Sequence, residues 1–120
     1  PPSGKRNFAD DASAYINGRV INGYADSFVV SAPVGSFPAN HRNLYDLDSN
    51  VAEWIHDVYQ IAGLVDDLLI DPLGAQDGDN RVIRGASWAN SKLSDLRLSA
   101  RDYGQMGRDD VGFRIARYAE

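Results

Sequence analysis

Oxygen donors dominate the chemistry open to this chain. Asp and Glu number 17 against 12 Lys and Arg, two histidines (His41 and His56) offer imidazole nitrogen, and cysteine is absent. Without thiols there is no disulfide, no Cys-ligated zinc or copper, no iron–sulfur cluster and no sulfur nucleophile. Two histidines cannot make a three-His zinc site, and a two-His iron site would consume both. One surface His and one half-buried His are the simpler expectation. Carboxylates in loops suit calcium, which takes six to eight oxygens in a flexible geometry. The run Asp66, Asp67, Asp71, Asp77 and Asp79, with turn points at Gly74 and Gly78, has that composition. It lacks the spacing and the closing Glu of an EF-hand, so a solvated loop is expected there. Further on, Arg84, Arg97, Arg101 and Arg114 alternate with Asp95, Asp102, Asp109 and Asp110. Structural Arg–carboxylate pairs are the expected role. A groove lined by Arg97, Arg101 and Arg108 is the sharper alternative.

The elements that must position these groups are short. Eleven Gly and five Pro are scattered through the chain, and no segment holds a long helical period. Residues 1–28 read as loop with one short helix, Ala9 to Tyr15, opened by Asp10 and Asp11. A β-like run, Phe28 to Val30, is closed by Pro33 and Gly35. Val51, Trp54, Ile55 and Val58 fall at i, i+3, i+4 and i+7, and Asn50 with Glu53 imitates a capping box. A twisted strand satisfies the same few positions, so periodicity leaves helix and strand open. Three strands are expected later: Arg81 to Ile83, Leu96 to Ser99, and Gly112 to Ala116, the last with Phe113 and Ile115 on one face and Arg114 on the other. Trp54 and Trp88 are expected in the core, Trp88 alternatively flooring a ligand cleft.

At 120 residues and 13.1 kDa the chain suffices for one domain, taken as 1–120, with no internal repeat or linker. Its net charge of −5 argues against a partner recognised through phosphates, such as nucleic acid. No apolar run reaches the ~18–20 residues of a membrane helix.

A series of ordered motifs carries a family resemblance. Ala32-Pro33-Val34-Gly35-Ser36-Phe37-Pro38-Ala39-Asn40 leads into Asn43-Leu44-Tyr45-Asp46-Leu47, then Asn50-Val51-Ala52-Glu53-Trp54. Arg81-Val82-Ile83-Arg84-Gly85-Ala86-Ser87-Trp88 and Val111-Gly112-Phe113-Arg114 complete the series. This pattern resembles the formylglycine-generating enzyme, or sulfatase-modifying factor, family, and specifically the C-terminal half of its domain. The resemblance implies an α+β, C-type-lectin-like fold with short twisted antiparallel strands, few helices and long loops. It favours a strand for Val51 to Val58. It implies a partner too, the upstream half of the same protein or a processed partner chain, and by analogy with exported bacterial members an extracytoplasmic setting.

Catalytic relatives carry two copper-binding cysteines just after this RGGS motif; here those positions hold Asn90 and Asp95, and Ala52 replaces the first Trp of the family's WEW. Neither side chain can bind Cu(I) or form a mixed disulfide. The resemblance therefore implies no copper and a pseudoenzyme. Calcium is the cofactor it does imply, at two sites: Asn7, Phe8, Asp26 and Phe28, and Asp46, Ser49, Val51 and Glu53, with Ser49 in place of a family Gly. Turn and cap roles are the plain alternative for these residues. Trp88, Asn90, Asp95, Arg97 and Arg101 would line the groove where active relatives bind peptide. The expected function is a non-catalytic, calcium-stabilised binding or scaffold module. The alternatives are an oxidoreductase whose metal site lies in the upstream half, and a ligand-display module varied between the RGGSW and GFR motifs.

Overall fold

The computed structural model describes residues 5–61, 74–75 and 77–118. Regular structure is sparse. Asp11–Ser13 form a 3-10 turn that runs into α1, Ala14–Asn17. Asp10 caps this unit reciprocally: its carboxylate accepts from the Ser13 amide at 3.1 Å, and the Ser13 hydroxyl accepts from the Asp10 amide at 3.0 Å. Gly18, at φ +67°, ends it with an N–H bond to the Ala14 carbonyl.

Four strands form one curled sheet in the order β3-β2-β1-β4. They are β1 (Ala52–Val58), β2 (Arg81–Arg84), β3 (Asp102–Gly104) and β4 (Val111–Gly112). The 51–58 segment is a strand because Val82 and Ile83 give it an apolar partner: β1 pairs antiparallel with β2, Trp54 opposite Ile83, with a bulge before Val58. On the outer side of β1, β4 runs parallel, Ala52 opposite Val111. β3 pairs antiparallel with β2, and Trp54 lies over Gly104, where an added Cβ would meet the indole at 3.1 Å.

The core clusters Phe8, Tyr24 and Ala86, with Ile21 and Leu96 against it, and Val82, Ile83, Ala52 and Val58 buried in the sheet. Among the described residues no helix is long and apolar enough to cross a membrane.

Several expected elements are absent. Phe28 to Val30 form no strand, because their backbone is claimed by side chains: the Phe28 amide donates to Asp26 and the Val30 carbonyl accepts from Asn7. Leu96 to Ser99 are turns, with an Ala100 amide to Arg97 carbonyl bond and Arg84 reaching the Leu98 carbonyl. The strand expected over Gly112 to Ala116 stops at Gly112, and Phe113 and Ile115 stand exposed. Asn50 caps no helix. At φ +69° its carbonyl oxygen Oδ1 accepts from Ala32 and Asn7, and its Nδ2 donates to the Ala32 carbonyl. Both histidines are exposed, against the expectation of a half-buried one.

Candidate functional site

Asn7, Phe8, Asp26 and Phe28 come together as expected. Asn7 and Asp26 are both buried. One carboxylate oxygen of Asp26 accepts from the Phe8 amide at 3.0 Å and the other from the Phe28 amide at 2.9 Å, which locks the two loops together. The Asn7 Nδ2 donates to the Val30 carbonyl at 2.8 Å and to Asn50 at 3.1 Å, while its Oδ1 is buried without a partner. Asp10 joins from behind, accepting the Asp26 amide at 3.0 Å. Burial pushes the Asp26 carboxyl above its ordinary value, the Phe28 and Phe8 amides opposing and Asp10 adding to the rise.

The second expected group lies on one tight loop. Asp46, Asp48 and Asn50 all adopt left-handed backbone, at φ +54°, +71° and +69°. Ser49, buried in the place of the family Gly, is not among the positive-φ residues, so its turn is unstrained and the strain falls on its neighbours. Asp46 accepts the Gly35 amide through Oδ2 at 2.7 Å, and its Oδ1 is buried without a partner. Val51 is half-buried beside this loop. Glu53, at the start of β1, is gripped by Arg114, whose Nε lies 2.9 and 2.8 Å from its two oxygens; Arg114 also donates to the Tyr45 carbonyl at 3.2 Å.

The residues fit an oxygen-coordinated cation in part. Each loop offers one buried oxygen with no partner, Asn7 Oδ1 and Asp46 Oδ1. Asp26 spends two acceptor positions on amides and Glu53 is held by a guanidinium. Among the described residues no three His, Asp or Glu side chains form a metal cluster, so an ion here would depend on amide and backbone oxygens.

The expected groove is divided. Asn90, Asp95 and Arg101 line one cavity of about 260 Å³ together with Asp102 and Arg108. Arg97 lines a separate one beside Leu96, Leu98 and Arg84, and Trp88 is buried and lines neither. Asn90 is structural in part, its Oδ1 accepting the Ser87 amide at 2.7 Å and the Ser87 hydroxyl at 3.0 Å. Of the arginines expected to pair with carboxylates, Arg114 does so, with Glu53, while Arg108, expected in the groove, takes two carboxylates, Asp102 at 2.6 Å and Asp110 at 2.9 Å. Arg84 and Arg97 donate instead to backbone carbonyls, and Arg101 stacks on Tyr59 at 5.2 Å. Asp110, buried, also accepts from the Ser87 hydroxyl at 3.1 Å, and Arg108 holds its carboxyl below the usual carboxylate range. The sequence signals this group only by the Arg-x-Asp spacing at 108–110. Of the acidic run, Asp77 and Asp79 are exposed, and Asp66, Asp67 and Asp71 lie outside the described residues.

A profile of the sulfatase-modifying factor enzyme 1-like domain matches residues 3–119. The mouse protein named inactive C-alpha-formylglycine-generating enzyme 2 is 37% identical over 98 residues, covering 76% of this chain and 27% of that protein. The formylglycine-generating enzyme of Streptomyces coelicolor is 30% identical over 104 residues, covering 83% of this chain and 33% of its own length. The serine/threonine-protein kinase Pkn1 of Chlamydia trachomatis is 35% identical over 112 residues, 86% of this chain and 18% of the kinase. The chain thus spans a third or less of these relatives. In structure it is similar to PvdO from Pseudomonas aeruginosa, with a TM-score of 0.53 at 19% identity, covering 91% of this chain and 50% of the other.

Proposed function

Because this chain belongs to the family of sulfatase-modifying factor enzyme 1-like domains, we propose that it is a non-catalytic member of C-type-lectin-like build, stabilised by calcium and serving as a binding or scaffold module. Asn90 and Asp95 support the non-catalytic part, since neither can hold Cu(I) or exchange a disulfide. The mouse and cattle relatives at 37% identity are themselves named inactive. The cavity at Asn90, Asp95 and Arg101 is the ligand groove of this reading, suited by its mixed charge to a polar peptide or protein segment. An extracytoplasmic setting goes with it, where modules bind calcium at millimolar levels.

One observation carries the calcium assignment. Three buried side-chain polar atoms lack a partner among the described residues, and two of them, on Asn7 and Asp46, belong one each to the two expected loops. A buried acceptor with nothing to accept costs about 1–3 kcal/mol, and a cation would satisfy it. Bound calcium would supply two positive charges to loops now held by amides and, at Glu53, by the Arg114 guanidinium, and would favour the ionised form of Asp26. Asn7, Asp26 and the Phe8 and Phe28 carbonyls would hold one ion; Asp46, Glu53 and the Ser49 and Val51 carbonyls would hold the other.

The test is a thermal melt in excess EDTA, in CaCl2, and in MgCl2 as control. At a hundredfold excess over Kd one site adds about 2.7 kcal/mol, which for a chain of this length raises Tm by about 10 °C. Asp26→Asn and Asp46→Asn should each remove part of the calcium-specific rise. No calcium-specific rise, or one that survives both substitutions together, would overturn the assignment.

A further inference from the structure

Asparagine is followed by glycine twice in this chain, at Asn17-Gly18 and at Asn22-Gly23. Such a pair is prone to cyclise on itself, because glycine has no Cβ to shield its amide nitrogen from the asparagine Cγ. The fold treats the two pairs differently. Asn17 ends α1, and its Nδ2 donates to the Ser13 hydroxyl at 3.1 Å and to the Trp88 carbonyl at 3.3 Å. The Gly18 amide donates to the Ala14 carbonyl at 3.0 Å. Both reacting groups of the first pair are therefore held in hydrogen bonds.

Asn22 and Gly23 form the exposed tip of a β-turn, closed by the Tyr24 amide on the Ile21 carbonyl at 3.0 Å. Gly23 takes φ +71° at the third position while Asn22 is not left-handed, which is the type II pattern. Among the described residues neither the Asn22 side chain nor the Gly23 amide has a hydrogen-bond partner. A Cβ built at Gly23 meets nothing within 4 Å, so a ring closed there has room. Just behind this tip the chain is fixed. The Ile21 amide donates to the Ala9 carbonyl at 2.8 Å, and Tyr24 is buried against Phe8 in the core.

We infer that Asn22 is a site of spontaneous deamidation, a covalent modification that turns it into aspartate and isoaspartate while Asn17 is spared. The Gly23 amide nitrogen gives its proton to hydroxide and attacks the Asn22 Cγ. The new C–N bond closes a succinimide ring, and the bond from Cγ to the side-chain nitrogen breaks, so that ammonia leaves with a proton from water. A second water then opens the ring, with no change of oxidation state. Opening at Cγ restores the ordinary backbone with an aspartate side chain. Opening at the Asn22 main-chain carbonyl leaves isoaspartate, whose backbone is one methylene longer. Either product adds a negative charge to a chain already at −5. Isoaspartate also lengthens the link between Ile21 and Tyr24, whose spacing sets the turn and seats Tyr24 in the core.

Peptide mapping by mass spectrometry tests this, on protein held in mildly alkaline buffer either native or unfolded in urea. In urea both Asn-Gly pairs should deamidate at similar rates. In the native protein Asn22 should react about tenfold faster than Asn17 or more, because the helix end must open locally before Gly18 can attack. Asn22→Gln, which sets the amide one methylene further from the Gly23 nitrogen, should keep position 22 intact and leave Tm unchanged, since the side chain is exposed and touches nothing. The isoaspartyl form, separated from the aspartyl form by chromatography, should melt at the lower temperature, because the two share a charge and differ only in backbone length. Equal rates at Asn17 and Asn22 in the native protein would overturn the proposal. So would protection of Asn22 in the native protein as strong as that of Asn17. An isoaspartyl form as stable as the aspartyl one would overturn the link from this turn to the core.

Discussion

At Asp110, one buried residue ties three segments of the chain together. Arg108 reaches it with two nitrogens at 2.9 Å, and Ser87 approaches at 3.1 Å from the turn that follows β2. The Asp110 carbonyl also accepts the Ala52 amide at 2.9 Å, so its backbone position helps to set β1. Asp110→Asn keeps the volume and loses the charge, and should cost about 2 kcal/mol at neutral pH, a charge-assisted bond being worth about 1.5–3 kcal/mol. The pH dependence has a definite sign. Arg108 lowers the Asp110 carboxyl below 3.8, its ordinary value. The stabilisation is therefore present above pH 3.8 and is lost as pH falls through the lowered value in the folded state. Urea titrations of both proteins from pH 7 down to pH 2.5 should show the gap closing only in that acid range. A gap that stays constant with pH would assign the loss to geometry rather than to charge.

Element by element, what could be read in advance depended on whether a segment's partner was local. The Asp10–Ser13 cap is local, and the acidic pair at 10 and 11 marked it, although the helical unit runs from Asp11 to Asn17 rather than from Ala9 to Tyr15. β2 was legible because Val82 and Ile83 form a short apolar run flanked by arginines. β1 was undecidable from period, since Val51, Trp54, Ile55 and Val58 suit helix and strand alike; the deciding contact is Trp54 against Ile83, which lies 29 residues away in sequence. β3 went unread because Asp102-Tyr103-Gly104 has no alternation to detect, and its pairing is set by β2. Phe28 to Val30 misled for the opposite reason: their composition is that of a strand, but Asn7 and Asp26 take their backbone partners. The same two residues show how site legibility worked. Their proximity came from the family pattern and not from spacing, since 19 positions separate them. Gly104 gives the element-scale prediction. A Cβ there meets the Trp54 indole at 3.1 Å and the Ile83 side chain at 3.5 Å. Gly104→Ala should therefore cost about 1 kcal/mol by overpacking, read as a lowered urea midpoint. Adding Trp54→Phe should recover most of the loss, because the smaller ring vacates that contact.

For the whole molecule the surface area decides how cooperatively it unfolds. Both the urea m-value and the heat-capacity change scale with the area hidden on folding. Calcium acts on a different part of this balance. It would tie loops at Asn7 and Asp46 that are already folded, so it should raise Tm while leaving m almost unchanged. A calcium-specific rise in Tm accompanied by a raised m-value would instead mean that the ion orders further chain, and would replace two preformed loops with folding coupled to binding.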